Sequence, residues 1–148
     1  MPKLKDVILV SIQLFLMLAF FLNIKWFSVD FLEHPIWFYI GGVGVVISVI
    51  ALLQMNVHLS PFPTPRPESK LITNGMFKFS RHPIYSGILI FMFSFSLWLG
   101  DGYKLCVSFM LLALLYYKSE YEEKMLEAIF SDYKTYSRST GRFLPKIW

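Results

Sequence analysis

The stretch that decides the fold runs from Ile36 to Met55, IWFYIGGVGVVISVIALLQM, and it contains no charged residue. A helix needs about 20 apolar residues to cross the ~30 Å hydrocarbon core of a bilayer. Gly41, Gly42 and Gly44 are small residues of the kind that allow close helix contacts in lipid. We therefore expect a membrane-spanning helix here that packs tightly against a partner, which the sequence does not identify.

Three further apolar segments cover about residues 7–27, 83–99 and 103–120. The chain of 148 residues is 55% hydrophobic and only 16% charged, which is too apolar for an ordinary soluble domain of this size. We predict an all-α membrane helix bundle with about four transmembrane helices, forming one integral membrane domain over residues 1–148. The fourth segment continues as a charged, helix-permissive stretch to about Asp132, so its end is expected to project into water.

Charge placement predicts the orientation of this bundle. All but Lys25 and Lys104 of the 14 lysines and arginines lie near the N-terminus, in the central loop and its flank, or in the C-terminal part. By the positive-inside rule, both termini and the central loop are expected to be cytoplasmic. No eukaryotic targeting signal is recognised, so we expect a prokaryotic inner membrane.

The same charges limit the partners and cofactors to be considered. No basic cluster with interleaved aromatic residues is present, so nucleic acid is not an expected partner, whereas anionic membrane lipids are. Cys106 is the only cysteine, which excludes a disulfide framework or a thiol metal cluster, and we expect no metal site.

The central loop, about residues 56–82, differs from the rest of the chain. Residues 60–67 hold four prolines at alternate positions, which favour an extended backbone and exclude a helix. This stretch is either a stiff strap on the cytoplasmic face or a simple linker. Further on, Gly75 is suited to a turn with a positive φ angle.

A polar heptapeptide, Arg81-His82-Pro83-Ile84-Tyr85-Ser86-Gly87, directly precedes the third apolar segment. Pro83 suits the first position of a helix and would make His82 its N-cap. A helix N-terminus with a guanidinium and an imidazole beside it can bind an anion. The alternative, that Arg81 and His82 only anchor the helix at the lipid headgroups, stays open.

The fourth segment ends in a second group of charges. Lys118 and Glu122 are four residues apart and share a helix face, whereas Glu123 and Glu127 form a like-charge pair at the same spacing. A carboxylate here could accept hydrogen bonds from an ammonium or from ribose hydroxyls, and aromatic rings nearby could hold a sulfonium. S-adenosylmethionine has a carboxylate, an ammonium and a sulfonium, so it would use both polar groups. The alternative is a solvated helix face.

An ordered series of blocks in the C-terminal half resembles the isoprenylcysteine carboxyl methyltransferase family and, more distantly, the phospholipid N-methyltransferases. The blocks are Gly75-Met76-Phe77, the heptapeptide at 81–87, Glu122-Glu123-Lys124-Met125-Leu126, Tyr133, Tyr136 and Arg142-Phe143-Leu144-Pro145. The resemblance covers about Ser60 to Trp148. It implies a membrane-embedded methyltransferase that uses S-adenosylmethionine without a Rossmann domain, and no Gly-rich dinucleotide fingerprint is present.

The resemblance also implies site residues. The expected cofactor contacts are Ser69, Lys70, Leu71, Ile72, Phe77, His82, Pro83, Ile84, Tyr85 and Glu122, with the neighbouring Glu123. The candidate catalytic residues are Arg81, His82, Tyr85 and Lys118, which we assign chiefly to binding and orientation. Lys118 stands where eukaryotic members have an arginine for the acceptor carboxylate, and Phe77 stands where the family has a tyrosine.

A lipophilic small molecule or lipid is the expected methyl acceptor, through carboxyl O-methylation or amine N-methylation. In this family it would arrive from the bilayer through a gap between helices. Two alternative hypotheses about the function are a non-catalytic membrane scaffold that retains the fold and a membrane reductase of related architecture with a nicotinamide cofactor.

Overall fold

The computed structural model describes residues 3–24, 26–55 and 71–146 of the chain. Within these ranges it has five α-helices and no β-strand, which confirms the all-α prediction. The proline-rich stretch 60–67 and two candidate cofactor contacts, Ser69 and Lys70, lie outside the described residues. The helices are α1 (Leu4–Phe20), α2 (Ile36–Met55), α3 (Pro83–Trp98), α4 (Gly102–Ile129) and α5 (Tyr133–Ser139), with short 3-10 turns at Asp30–Leu32 and Gly75–Lys78.

In the described part of the chain, α2 alone is long and apolar enough to cross a bilayer by itself. Helix α3 is apolar but has only 16 residues. The prediction of four membrane spans is therefore not confirmed and stays a prediction.

Helix α1 differs from the apolar segment predicted at 7–27, because it begins at Leu4 and ends at Phe20. Residues 21–24 and 26–29 belong to a loop. The backbone oxygen of Phe27 accepts a hydrogen bond from the amide of Gly102 at 3.0 Å, and the Phe27 ring lies against Gly102. Phe27 thus packs on the α3–α4 turn instead of extending the helix.

The close helix contact expected for α2 is made with α3, the helix against which α2 packs most extensively. A Cβ atom on Gly44 would lie 2.6 Å from the backbone oxygen of Gly87, and one on Gly87 would lie 2.4 Å from that of Gly44. The two backbones can approach this closely because neither residue has a side chain. Around Gly42, by contrast, no atom of another described element lies within 4 Å of a built Cβ.

Helix α4 packs against both α3 and α1, and the buried core lies among these three helices. The buried side chains of this core are Phe20, Leu89, Met92, Val107, Leu111 and Leu115.

Different loops and helix ends meet at the two ends of the bundle. At one end, the loop after α1 lies on the α3–α4 turn, where the amide of Val29 donates to the backbone oxygen of Gly100 at 2.8 Å. Lys104 strengthens this contact through the backbone oxygen of Leu22 at 2.9 Å and the carboxylate of Asp101 at 3.2 Å.

At the other end, the start of α1 meets the second half of α4, since the Lys5 ammonium lies 4.1 Å from the Tyr121 ring centroid. The end of α2 joins them there, because Gln54 accepts a hydrogen bond from the amide of Met76 at 2.9 Å. The start of α3 lies at this end too, so it holds the described candidate site residues.

The segment 141–143, which follows α5, is bonded along the start of α3. The amides of Arg81 and His82 donate to the backbone oxygens of Gly141 and Arg142 at 2.9 and 3.1 Å. The Ser86 hydroxyl donates to the backbone oxygen of Phe143 at 2.6 Å. These bonds bring residues far apart in sequence to one side of the site.

Candidate functional site

The start of α3 has the local structure that its sequence predicts. His82 is the N-cap residue and Pro83 is the first residue of the helix. Pro83 is fully buried, and one turn contains both His82 and Tyr85, whose rings stack at 5.4 Å between centroids with an interplanar angle of 2°. The helix start therefore holds the imidazole and the phenol in a fixed relation to each other.

Glu123 of α4 is the centre of an ion-pair cluster that joins three parts of the chain. Its Oε1 accepts from Arg81 Nε at 3.0 Å, from His82 Nε2 at 3.1 Å and from Arg142 Nε at 3.2 Å. Its Oε2 accepts from Arg81 Nη2 at 3.2 Å and from Arg142 Nη2 at 2.9 Å. Both carboxylate oxygens are therefore used within the protein.

Arg81 uses its remaining donors on backbone oxygens. Its Nη1 donates to Ser137 at 2.7 Å and to Thr140 at 2.6 Å, at the end of α5. With Glu123, these bonds attach the start of α3 to α4 and α5. In this arrangement the guanidinium holds helices together and anchors the polar cluster.

The electrostatics of the cluster follow from burial and from its charges. Burial raises the pKa of Glu123, but hydrogen bonds from His82, Arg81 and Arg142 outweigh it and lower that pKa to about 2. Burial lowers the pKa of His82, but hydrogen bonds to Glu122 and Glu123 outweigh it and raise that pKa above its usual 6.5. A cationic His82 between two carboxylates is the form that this geometry favours.

Glu122, the neighbouring carboxylate, points to the aromatic side of the cluster. Its Oε1 accepts a hydrogen bond from the Tyr85 hydroxyl at 2.6 Å, and its Oε2 lies 3.4 Å from His82 Nδ1. The Glu122 side chain is 14% exposed, so it is shielded but reachable. Adjacent residues on one helix thus have different partners, Glu123 the arginines and Glu122 the tyrosine.

Lys118 lies one turn before Glu122 and is only 2% exposed. Its ammonium donates to the side-chain oxygen of Gln13 in α1 at 2.7 Å and lies 5.2 Å from the centroid of the Tyr85 ring. The structure therefore brings together Arg81, His82, Tyr85, Lys118, Glu122 and Glu123.

The other predicted contacts lie around this group. Phe77 is buried, and its backbone oxygen accepts a hydrogen bond from the Tyr136 hydroxyl. Ile84 faces α2, where the Ser48 hydroxyl donates to its backbone oxygen at 3.2 Å. Leu71 and Ile72 are half-buried, and no hydrogen bond between described residues joins them to the Glu123 cluster.

Two residues near the cluster were not among the predicted site residues. Gln13 is a polar residue within the apolar segment at 7–27, and an amide in an apolar helix usually has a specific partner. Arg142 was recognised only as part of a sequence block, and its two bonds to Glu123 depend on a chain reversal after α5 that local patterns do not encode.

Two polar atoms beside the cluster have no hydrogen-bond partner among residues 3–24, 26–55 and 71–146. They are the hydroxyl of Tyr133, which is 2% exposed, and Nη1 of Arg142. Buried donors without partners are uncommon in folded proteins. Both could donate to an anionic group.

Comparison with known families shows to which family the chain belongs. The sequence model of the phospholipid methyltransferases matches residues 35–133, well over half of the chain. The chain belongs to the phospholipid methyltransferase family. This match confirms the resemblance to membrane methyltransferases of the isoprenylcysteine carboxyl and phospholipid type, whereas no curated protein matches the chain at a significant level.

Membership in the phospholipid methyltransferase family indicates a membrane-associated methyltransferase. The matched region contains α2, α3 and α4 and ends at Tyr133, the first residue of α5. It leaves out α1 with Gln13 and the segment that carries Arg142. Part of the polar cluster thus comes from regions beyond the family match.

Proposed function

We propose that this protein is an integral membrane methyltransferase that uses S-adenosylmethionine and methylates a lipophilic acceptor. The observation that carries the proposal is the placement of Glu122, Tyr85 and His82 at the junction of α3 and α4. The family match supports the reaction class, and this placement supports the cofactor.

The chemistry of the donor set fits the cofactor. Glu122 is a shielded carboxylate suited to an ammonium or to ribose hydroxyls, and the ring of Tyr85 offers a face to a cation. The hydroxyl of Tyr133 and Nη1 of Arg142 are donors for a carboxylate. When bound, S-adenosylmethionine supplies an electrophilic methyl group on a sulfonium.

An apolar cleft within the helix bundle supports a lipophilic acceptor. The cleft has a volume of about 170 Å³ and lies between α1, α2 and α3. Its lining includes Met17, Phe20, Val45, Val49, Gly87 and Phe91. The cleft reaches α3 at Gly87, in the second turn of the helix whose first turn holds Tyr85.

Lys118 supports a phosphate as one element of that polar end. A lysine ammonium binds phosphate as a point charge, whereas the planar fork of arginine suits a carboxylate. The family is described as phospholipid methyltransferases, so we take ethanolamine phospholipids as the first acceptor to test. An amine acceptor reacts through its unprotonated form.

The side chains of the cluster bind and orient the reactants in this proposal. Glu123 is too weak a base to accept a proton from an amine, since its pKa is about 2. His82 is held cationic by Glu122 and Glu123, with its pKa raised. Positioning of two reactants can supply about 7 to 11 kcal/mol of the barrier, so such a site needs no covalent step with the protein.

The orientation proposed for the protein places the cluster in the cytoplasm of a prokaryotic cell, with both termini on that side of the inner membrane. The distribution of lysine and arginine in the sequence supports it, since only Lys25 and Lys104 fall outside the N-terminus, the central loop with its flank, and the C-terminal part.

Calorimetry with S-adenosylhomocysteine tests the proposal. We expect the purified protein to bind this product, and Glu122→Gln to weaken binding by about tenfold, because a hydrogen bond to a charged group contributes about 1.5 to 3 kcal/mol. Glu127→Gln is the matched control, since it removes the same charge from an exposed position of α4.

Each result of the calorimetry has a distinct meaning. Wild-type protein that does not bind S-adenosylhomocysteine would contradict the proposal. Equal affinity in Glu122→Gln and wild type would remove Glu122 from the cofactor site. A folded protein that binds the product but methylates no lipid from a membrane extract would favour the non-catalytic scaffold.

A further inference from the structure

Helix α1 places two polar side chains on the face that packs inward. Asp6 is fully buried, Gln13 is half-buried two turns later, and the core residues Leu9 and Phe20 share this face. Asp6 accepts a hydrogen bond from the amide of Lys3 at 3.0 Å, which completes the helix start. Gln13 instead reaches across to α4.

The bond between Gln13 and Lys118 joins α1 to the candidate site. A buried lysine has four rotatable side-chain bonds, so its ammonium takes a defined position only when partners hold it. The Gln13 oxygen holds it from α1 at 2.7 Å, and the Tyr85 ring lies on another side at 5.2 Å. An amide accepts this bond without neutralising the charge, unlike a carboxylate.

The charges around Lys118 favour one direction for the ammonium. The carboxylates of Glu122, one turn along α4, and Asp6, from α1, both attract it. Gln13 accepts a hydrogen bond from the ammonium that both carboxylates attract. The ring of Tyr85, whose hydroxyl donates to Glu122, lies beside the same ammonium. Removal of the amide oxygen would leave the charge in place and take away the bond that joins the ammonium to α1.

We propose that Gln13 is a positioning residue of the methyl-transfer site, which holds the Lys118 ammonium for an anionic group of the acceptor. The inference rests on the function proposed above. It makes α1, which lies outside the region matched to the family, a functional part of the enzyme. Gln13 acts through Lys118 and not through the cofactor.

The test uses the full chain in vesicles of phosphatidylethanolamine with methyl-labelled S-adenosylmethionine. Gln13→Met keeps the length of the side chain and removes the acceptor oxygen. We expect it to raise KM for the lipid by about tenfold, the usual effect of losing a hydrogen bond to a charged group. Affinity for S-adenosylhomocysteine and Tm should stay close to wild type. Ser11→Ala, at an exposed position of α1, is the control. It should leave the KM for the lipid, the affinity for S-adenosylhomocysteine and Tm unchanged.

A double-mutant cycle with Lys118→Met then shows whether Gln13 acts through the lysine. We expect the double variant to have the same KM as Lys118→Met alone. Multiplied effects would overturn the inference, as would an unchanged KM in Gln13→Met. If Lys118→Met transfers no measurable methyl group, the KM of Gln13→Met decides.

Other failures are distinguishable from these. A Gln13→Met protein with lower Tm and weaker S-adenosylhomocysteine binding shows a structural role and overturns the inference. Wild-type protein that binds no S-adenosylhomocysteine overturns the proposed function, and the inference with it. Wild-type protein that binds it but leaves these vesicles unlabelled overturns the phospholipid acceptor and the role of Gln13.

Discussion

Substitution of Gly44 by alanine tests whether the contact between α2 and α3 supports the site. The added Cβ would lie 2.6 Å from the backbone oxygen of Gly87 and 2.8 Å from the backbone nitrogen of Phe91. Both atoms belong to the backbone of α3, so no side chain can turn away to make room. The helices must therefore separate.

The size of the effect follows from these distances. An ordinary contact begins at 3.4 Å, so the backbones must move apart by about 0.8 Å at this point. Overpacking of this kind costs about 1 to 3 kcal/mol. For a chain of 148 residues, each kcal/mol corresponds to about 2 to 4 °C in Tm, so we expect Gly44→Ala to lower Tm by about 5 °C.

Thermal unfolding in detergent, with S-adenosylhomocysteine calorimetry on the same samples, measures both stability and the site. Gly42→Ala is the matched control, because no other element among residues 3–24, 26–55 and 71–146 comes within 4 Å of a Cβ built there. Replacing a helical glycine by alanine otherwise stabilises by about 0.5 to 1 kcal/mol. Gly42→Ala should thus keep or raise Tm, while Gly44→Ala lowers Tm and also weakens cofactor binding by displacing Tyr85.

The reasoning is refuted if the two alanine variants have the same Tm. It is refuted in part if Gly44→Ala unfolds earlier but binds S-adenosylhomocysteine normally, since the contact would then stabilise the bundle without positioning the start of α3.

Three further predictions concern the polar cluster. The folded pKa of Glu123, about 2, is below its unfolded value of 4.5. Its contribution to the free energy of unfolding, on the order of 3 kcal/mol, is therefore present above about pH 4.5 and is lost as the pH falls towards 2. Glu123→Gln should lower Tm at pH 7 and make Tm depend less on pH in the acid range. The folded pKa of His82 is raised, so its contribution to the free energy of unfolding is complete below pH 6.5 and is lost as the pH rises through the folded pKa. In His82→Gln, Tm should therefore fall less steeply as the pH rises. An unchanged pH profile of Tm would contradict a cationic His82. Tyr85→Phe should weaken S-adenosylhomocysteine binding by about fivefold through loss of the bond to Glu122, whereas Tyr117→Phe, at an exposed position of α4, should not, as calorimetry can measure.

The parts of the fold that depend on local sequence could be predicted. Pro83 fixes the start of α3 and makes His82 its N-cap, and Gly75 has a positive φ of 59°, as expected. The end of α1 could not be predicted, because hydrophobic residues continue to Phe27 in sequence. The packing of Phe27 on Gly102 is a long-range contact that periodicity does not contain.

The candidate site shows the same division. Spacing placed Lys118 and Glu122 on one face, and the two lie there beside Tyr85. It could not divide the roles of Glu122 and Glu123, which are adjacent but point about 100° apart around α4. The different roles of the two glutamates depend on Arg142, which bonds to Glu123. The position of Arg142 is set by the turn after α5 and by its backbone bond to the start of α3.

The bonds between the start of α3 and the segment 141–143 also order the events of biosynthesis. Ser80 and its partner Arg142 are 62 residues apart. At roughly 5 to 20 residues per second, Arg142 is made about 3 to 12 seconds after Ser80. Glu123, which is 42 residues from Arg81, is made in between. The start of α3 is therefore made before all of these partners, and the complete polar cluster can form only after Arg142 has been added to the chain.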